Sequence, residues 1–144
     1  MIRPKHVLLG LLLGPLASGL AAAQAHPVWD PATAVWSAAG PGLESSVILG
    51  SPETTGSYAI AFRLQPGSWI SPHTHPAAKQ VTVLAGALLM GFGPKLDSTT
   101  VHAVKTGQIT VVPPATAHYE GAKTTTVVVF SGDGPLITNW IKPT

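Results

Sequence analysis

Three histidines in this sequence occur in contexts that suit metal binding. His73 and His75 are separated by one residue, and residues i and i+2 of an extended strand point to the same face. His118 follows later, after a glycine turn, an apolar run and a proline turn. Neutral imidazole nitrogens are common ligands of divalent transition metals. The three side chains therefore form a candidate metal site, for which iron, manganese, nickel and zinc all remain open.

Several other chemistries are excluded by what the sequence lacks. The chain contains no cysteine, which excludes disulfides, a thiol nucleophile, iron–sulfur clusters and zinc fingers. It has neither a phosphate-binding loop nor a Gly-x-Ser-x-Gly elbow. Its six carboxylates are scattered and form no convincing acid–base pair.

The elements that must position these histidines are β-strands. Fourteen prolines and fifteen glycines in 144 residues argue against a helical bundle. Short runs rich in β-branched and aromatic residues alternate with turn signals, a pattern typical of an all-β sandwich or barrel. The predicted strands are Val47–Leu49, Tyr58–Leu64, Val81–Ala85, Ala87–Phe92, Thr99–Val104, Gln108–Val112, Thr124–Phe130 and Leu136–Ile141.

The first 25 residues have the three parts of a secretory signal peptide. Arg3 and Lys5 precede an apolar stretch that ends in a small-x-small pattern at Ala25. Glycines and a proline interrupt this stretch, which disfavours a spanning helix. We therefore expect cleavage after Ala25, a periplasmic or secreted protein without a membrane anchor, an N-terminal arm over 26–53 and one domain over 54–144.

Removal of that segment also removes the net positive charge. The chain carries a formal charge of +2, whereas residues 26–144 contain six Lys and Arg against six Asp and Glu, which gives zero. A neutral domain has no basic field to attract nucleic acid or anionic lipid. The expected partner is a small molecule rather than a nucleic acid.

The spacing of glycine, proline and histidine resembles the two motifs of the cupin superfamily, and most closely those of small exported single-domain bacterial cupins. The first motif uses Gly67, His73, His75 and Gly86, and the second uses Gly107, Pro113 and His118. The resemblance extends over residues 45–141. It implies a double-stranded β-helix, a jelly-roll-like barrel, with a metal inside. It also implies pairing through outer strands or the N-terminal arm, hence a homodimer.

The sequence departs from these motifs at the acidic ligand position, which falls on Lys79 with Gln80 beside it. An ammonium about 4 Å from a dication costs on the order of 4 kcal/mol per unit charge at an effective dielectric near 20. Three resolutions stay open. In the first, the three histidines hold the metal, with water or Gln80 filling the remaining positions. In the second, Glu120, which lies on the same strand face as His118, supplies the missing carboxylate. In the third, the site is metal-free and Lys79 binds an anion or carbonyl.

Two classes of function follow from these features. One is a non-haem metalloenzyme of dioxygenase or isomerase type that acts on a small molecule. The other is a periplasmic module that binds a small molecule or a metal without turnover, with a degenerate, metal-free site. The sequence leaves open whether the protein is an enzyme, and fold-level resemblance supplies no substrate.

Overall fold

The computed structural model describes residues 27–142, in which all regular secondary structure is β. The signal peptide predicted over 1–25 lies outside these residues. None of the described residues belongs to a helix long and apolar enough to cross a membrane. Eleven strands form the fold: β1 Ser37–Gly40, β2 Leu43–Leu49, β3 Gly56–Leu64, β4 Trp69–Thr74, β5 Lys79–Ala85, β6 Ala87–Phe92, β7 His102–Lys105, β8 Ile109–Val112, β9 His118–Gly121, β10 Thr126–Gly134 and β11 Asn139–Trp140.

The strands form two antiparallel sheets that face each other across one core. The six-stranded sheet has the order β1-β2-β3-β10-β5-β8, and the five-stranded sheet has the order β11-β4-β9-β6-β7. Neighbours in each sheet are often distant in sequence, as in a jelly roll in which the chain alternates between two layers. The prediction of an all-β, double-stranded β-helix is confirmed.

The core is built by residues that alternate along the strands. On β5, Lys79, Val81 and Val83 point inward and are buried, whereas Gln80 and Leu84 are exposed. Leucines, valines and aromatic rings from both sheets fill most of the interior. A buried polar cluster of five side chains interrupts this apolar interior: His73, His75, Lys79, His118 and Glu120.

The N-terminal arm contains more structure than the sequence predicts. A single short strand was expected at Val47–Leu49, but β1 and β2 form a hairpin whose second strand pairs with β3 along most of its length. On the outer face, Trp36 packs under the Arg63 guanidinium, which lies 4.5 Å from the ring centroid. This hairpin extends the six-stranded sheet. Its pairing partners on β3 lie beyond the boundary that was predicted after residue 53.

Two of the predicted strands are shorter than expected by more than one residue. The run Thr99–Val104 begins as a strand only at His102, because the Asp97 side chain accepts hydrogen bonds from the Thr99 amide and hydroxyl and holds a turn. The run Leu136–Ile141 contributes only the two residues of β11. The alternation of apolar residues predicts a strand over Thr99–Val104, but it contains no information on the side-chain hydrogen bonds of Asp97 that delay the start of the strand.

Candidate metal centre

The three histidines are brought together by neighbouring strands of the five-stranded sheet. His73 lies on β4, His75 follows the end of that strand, and His118 opens β9 directly opposite His73 in the pairing register. All three side chains are buried. Their ring centroids are 4.2 to 5.3 Å apart. The sequence-predicted candidates therefore meet in a single cluster.

Each imidazole is oriented by a hydrogen bond from Nδ1 to a backbone carbonyl. The acceptors are the Ser71 oxygen at 2.7 Å for His73, the Ile137 oxygen at 2.7 Å for His75 and the Thr116 oxygen at 2.8 Å for His118. A carbonyl oxygen can only accept, so the proton of each neutral ring resides on Nδ1. Nε2 is then left with a free lone pair in all three rings, as in metal-ligating histidines.

These lone pairs converge on a common space. One nitrogen from each ring lies within 4.8 Å of those of the other two. In His75 and His118, the buried Nε2 atom has no hydrogen-bond partner in the protein. A buried polar atom without a partner is costly unless a ligand satisfies it. The donor set thus fits a divalent transition metal, for which imidazole nitrogen is a suitable ligand.

Burial also keeps two of these rings, His73 and His75, in the unprotonated form that binds a metal. Burial, and after it the nearby Lys79 charge, lower the pKa of His75 from 6.5 to about 4. Burial likewise lowers the pKa of His73, although the Glu120 carboxylate opposes this shift. Near neutral pH both rings are therefore unprotonated, so a proton does not compete with a metal for their nitrogen lone pairs.

Glu120 and Lys79 complete the polar cluster from opposite sheets. Glu120 lies on β9, with its carboxylate oxygens 3.4 Å from His118 Nε2 and 3.7 Å from His73 Nε2. Lys79 reaches across from β5 and donates a hydrogen bond of 2.8 Å to Glu120 Oε1. The Lys79 Nζ atom also lies 4.0 Å from the centroid of the Phe130 ring. The lysine that replaces the expected acidic residue therefore points into the barrel.

Both charges of this pair are fully removed from solvent. Burial raises the pKa of Glu120, but the Lys79 ammonium outweighs this effect, so the net shift is well downward and the carboxyl is ionised. Burial lowers the pKa of Lys79, and Glu120 opposes that change. Such an arrangement keeps a carboxylate available beside the histidines while a cation balances its charge.

The remaining sequence candidates occupy other positions. Gln80 is exposed on the outer face of β5, opposite Val111, and does not contribute to the cluster. Ala115 stands at the glycine position of the second motif and adopts a left-handed φ of 56°. The backbone conformation that glycine favours is thus kept without glycine. The Ile137 carbonyl that orients His75 was not predicted, since no sequence signal links residues that are 62 apart.

A cavity of about 200 Å³ opens beside the histidines. Trp140 is 62% exposed and lies at this opening, with its ring centroid 5.2 Å from that of His73. Apolar and polar residues share the lining: Ala39, Leu43, Phe62, Ile70, His73, His75, Lys79, Phe130, Leu136, Thr138 and Trp140. Two of the three imidazoles, those of His73 and His75, therefore line this cavity.

Comparison with known proteins agrees with this architecture. The family model for Cupin matches residues 51–135, more than half of the chain. No curated protein matches the sequence. Among solved structures, a conserved protein with a double-stranded β-helix domain from Klebsiella pneumoniae shares 20% identity at a TM-score of 0.62, covering 83% of this chain and 100% of its own.

Two further solved structures have this fold, and one of them is a named enzyme. KdgF from Halomonas sp. shares 17% identity at a TM-score of 0.59, over 76% of this chain and 94% of its own. Salicylate 1,2-dioxygenase from Pseudoaminobacter salicylatoxidans, solved with gentisate, shares 18% identity at a TM-score of 0.56. That match covers 67% of this chain but only 26% of the dioxygenase. At such identities the similarity establishes the fold alone.

Proposed function

Because the chain belongs to the cupin family, we propose that it binds a divalent transition metal through His73, His75 and His118 and uses this centre on a small molecule. The orientation of the three rings carries the proposal. Each Nδ1 donates to a backbone carbonyl, so the Nε2 lone pair of each ring is free, and one nitrogen of each ring lies within 4.8 Å of those of the other two. Without a cation, such a cluster leaves buried nitrogens unsatisfied at a cost in free energy.

The residues around the site support catalysis of dioxygenase or isomerase type. A bound divalent metal would supply Lewis acidity and open coordination positions. Glu120 places a carboxylate within 3.7 Å of His73 Nε2, where it can accept a proton or serve as a further ligand. Phe62, Phe130 and Leu136 line the adjoining cavity and limit access of water. Cupins of known structure that share this fold include a dioxygenase.

A second candidate is a binding module without turnover or metal. The observation that favours it is the Lys79–Glu120 ion pair, which already satisfies Glu120 Oε1 and brings a positive charge close to the histidines. In that case the same cavity would hold a small molecule and no cation. Both candidates share one pocket, so metal content separates them.

The sequence supports two further parts of the proposal. Residues 1–25 are proposed to direct export to the periplasm or beyond. A homodimer is proposed from the family resemblance, and it is supported by the exposed Ile109 and Val111 on β8, the last strand of the six-stranded sheet. Burial of that edge against a second copy would also protect a strand whose hydrogen-bonding groups are otherwise open to aggregation.

The test is the metal content of the full-length chain, expressed in bacteria and purified without chelator or affinity tag. We expect about one divalent metal per chain in the parent protein. His75→Ala and His118→Ala each remove a ligand and should leave less than a tenth of that amount. His102→Ala is the matched control, because His102 is exposed on β7, and it should retain the parent content.

Two results would contradict the proposed metal centre or its ligands. A parent protein that is folded by circular dichroism but holds no metal, even after reconstitution with Fe(II), Mn(II), Ni(II) and Zn(II), would refute the metal centre and leave the binding module. Metal retained in both His75→Ala and His118→Ala would refute this ligand set.

A further inference from the structure

A second cavity, of about 270 Å³, adjoins the cavity at the histidines. Its lining comes from the β1–β2 hairpin, including Ala39 and Pro41, from residues 68–71 around the start of β4, and from Trp140. We call this space the outer groove. The two cavities have several lining residues in common, namely Ala39, Leu43, Ile70 and Trp140. Because the same side chains form walls of both spaces, a molecule bound beside the histidines can extend into the outer groove.

The sizes of the two cavities favour such an extended ligand. The cavity beside the histidines has a volume of about 200 Å³, which is below the range of roughly 300–1,000 Å³ that is usual for ligand pockets. Together with the 270 Å³ of the outer groove, the available space falls within that range. A typical small-molecule substrate would therefore occupy both cavities.

Trp140 stands where the two cavities meet, and its backbone is held in place. Strand β11 pairs Trp140 with His73, and the Ile141 amide donates a hydrogen bond of 2.9 Å to the Pro72 carbonyl. The indole nevertheless remains 62% exposed, with its ring centroid 5.2 Å from that of His73. A large aromatic ring that is fixed beside the site but open to solvent is preorganised to stack against a bound molecule.

The chemistry of the outer groove favours an apolar ligand body. Among the described residues that line it, none carries a charge or a carboxamide group, and its polar side chains are those of Ser68 and Ser71. The Ser68 hydroxyl already donates a hydrogen bond of 2.7 Å to the Gln65 carbonyl. A sugar would leave several hydroxyl groups without partners in such a groove, which is costly. A flat aromatic ring has no such requirement.

From this arrangement we propose that the outer groove is a substrate subsite for a planar aromatic ring, and that Trp140 selects substrates that carry this ring. The proposal rests on the proposed function, which places the reactive end of the substrate at the histidines. Trp140 acts here as a specificity-determining residue, because its indole contacts the body of the substrate. Aromatic pairs in offset-stacked or edge-to-face geometry are stabilised beyond the burial of their area.

The experiment compares two probes that share one metal-binding head and differ in the body. Acetohydroxamate and 2-naphthohydroxamate are titrated by calorimetry into the full-length protein loaded with Zn(II). Acetohydroxamate measures binding of the head alone, and the ratio of the two affinities measures the contribution of the ring system. We expect the naphthyl compound to bind at least about a hundredfold more tightly, because aromatic rings of this size bury on the order of 150 Å² or more.

Three substitutions of Trp140 separate the ring from its volume. Trp140→Ala and Trp140→Leu should each lower the affinity ratio at least about tenfold, because both remove the planar ring. Trp140→Phe keeps a ring and should retain most of the ratio. Since the Trp140 side chain is largely exposed, we expect all three variants to fold like the parent by circular dichroism. Leu49→Ala is the matched control, because Leu49 is 58% exposed on β2 and does not line the groove.

Two outcomes with Zn(II)-loaded protein would overturn the proposal. One is an affinity ratio that is the same in the parent, Trp140→Ala and Trp140→Leu. The other is an equal loss of both hydroxamates in Trp140→Ala, which would mean that the indole only supports the neighbouring His73. Under the proposal, these variants bind acetohydroxamate like the parent and lose only the gain from the naphthyl ring.

Failure of the metal centre is distinguishable from failure of the subsite. If the chain binds no Zn(II), the metal centre is refuted, and the metal-free protein is titrated with 2-naphthamide and acetamide. A preference for 2-naphthamide that Trp140→Ala removes would still support the subsite, and no preference would overturn it. Normal binding of Zn(II) and acetohydroxamate without any gain from the naphthyl ring would refute the subsite and leave the metal centre in place.

Discussion

Substitution of one member of the Lys79–Glu120 pair should strongly destabilise the metal-free protein. Glu120→Gln leaves the Lys79 ammonium buried at 1% exposure without a counter-ion. Lys79→Met leaves a buried carboxylate at 0% exposure. Loss of one partner of a buried ion pair typically costs about 3–5 kcal/mol. The whole free energy of unfolding of a domain is roughly 5–15 kcal/mol, so each variant should lose a large part of its stability.

The corresponding thermal shift is large enough to measure without ambiguity. For a domain of this length, each kcal/mol lowers the melting temperature by roughly 3–5 °C. Glu120→Gln and Lys79→Met should therefore melt about 10–20 °C below the parent protein. Lys79→Met/Glu120→Leu should melt close to the parent, because replacement of a buried ion pair by apolar residues is often neutral or stabilising.

The assay is urea and thermal unfolding in the presence of a chelator. The chelator ensures that no metal balances the charge of the Glu120 carboxylate in Lys79→Met. Glu44→Gln is the matched control. The Arg63 Nε–Glu44 Oε2 contact is equally short at 2.7 Å, but its side chains are 29% and 32% exposed, so water and salt screen the pair. Its loss should barely change the melting temperature.

Burial rather than contact distance should distinguish the two ion pairs. If Glu120→Gln unfolds at the same urea concentration as Glu44→Gln, Lys79 and Glu120 do not form a buried ion pair in the folded protein. If the double variant is as unstable as the two single variants combined, its members contribute independently and the pair has no coupling energy.

Two further effects should follow from local geometry. In metal-free protein, the free energy of unfolding should fall as the pH is lowered from 6.5 towards about 4, because the pKa of His75 drops from 6.5 to about 4 on folding and the unfolded chain takes up the proton first. Urea unfolding at pH 7, 6, 5 and 4 measures this dependence, which should be shallower in His75→Gln; equal slopes would contradict it. Ala115→Gly should raise the free energy of unfolding by up to about 1 kcal/mol, because Ala115 has a left-handed φ of 56°. Urea unfolding that shows a loss instead would refute this assignment of strain.

The meeting of the three histidines follows from sequence because it depends on local rules. Period-two alternation puts the side chains of His73 and His75 on one face of an extended segment. The proline turn before His118 starts a new strand, and antiparallel pairing sets His118 opposite His73. A single histidine pair would not suffice for this inference, whereas the spacing of the glycines and the later histidine together restrict the fold.

The environment of the site depends on contacts that local rules do not contain. Lys79 and Glu120 lie on strands of different sheets, so only the packing of the layers determines that they meet. Alternation alone allowed Glu120 to share the face of His118, but it gave no partner for its charge. The hydrogen bond from His75 to Ile137 and the position of Trp140 over His73 likewise join distant segments. Such contacts are set by tertiary structure.

The pairing of Lys79 with Glu120 also bears on the relation between folding and metal binding. A cluster of two buried carboxylates and three imidazoles would repel itself without a cation, and folding would then require the metal. Here the ammonium occupies the place of one carboxylate and pairs with the other at 2.8 Å, so the metal-free interior is neutral. The protein can therefore fold before it acquires a metal. The same ammonium weakens the binding of a cation at the histidines, because like charges at close range repel.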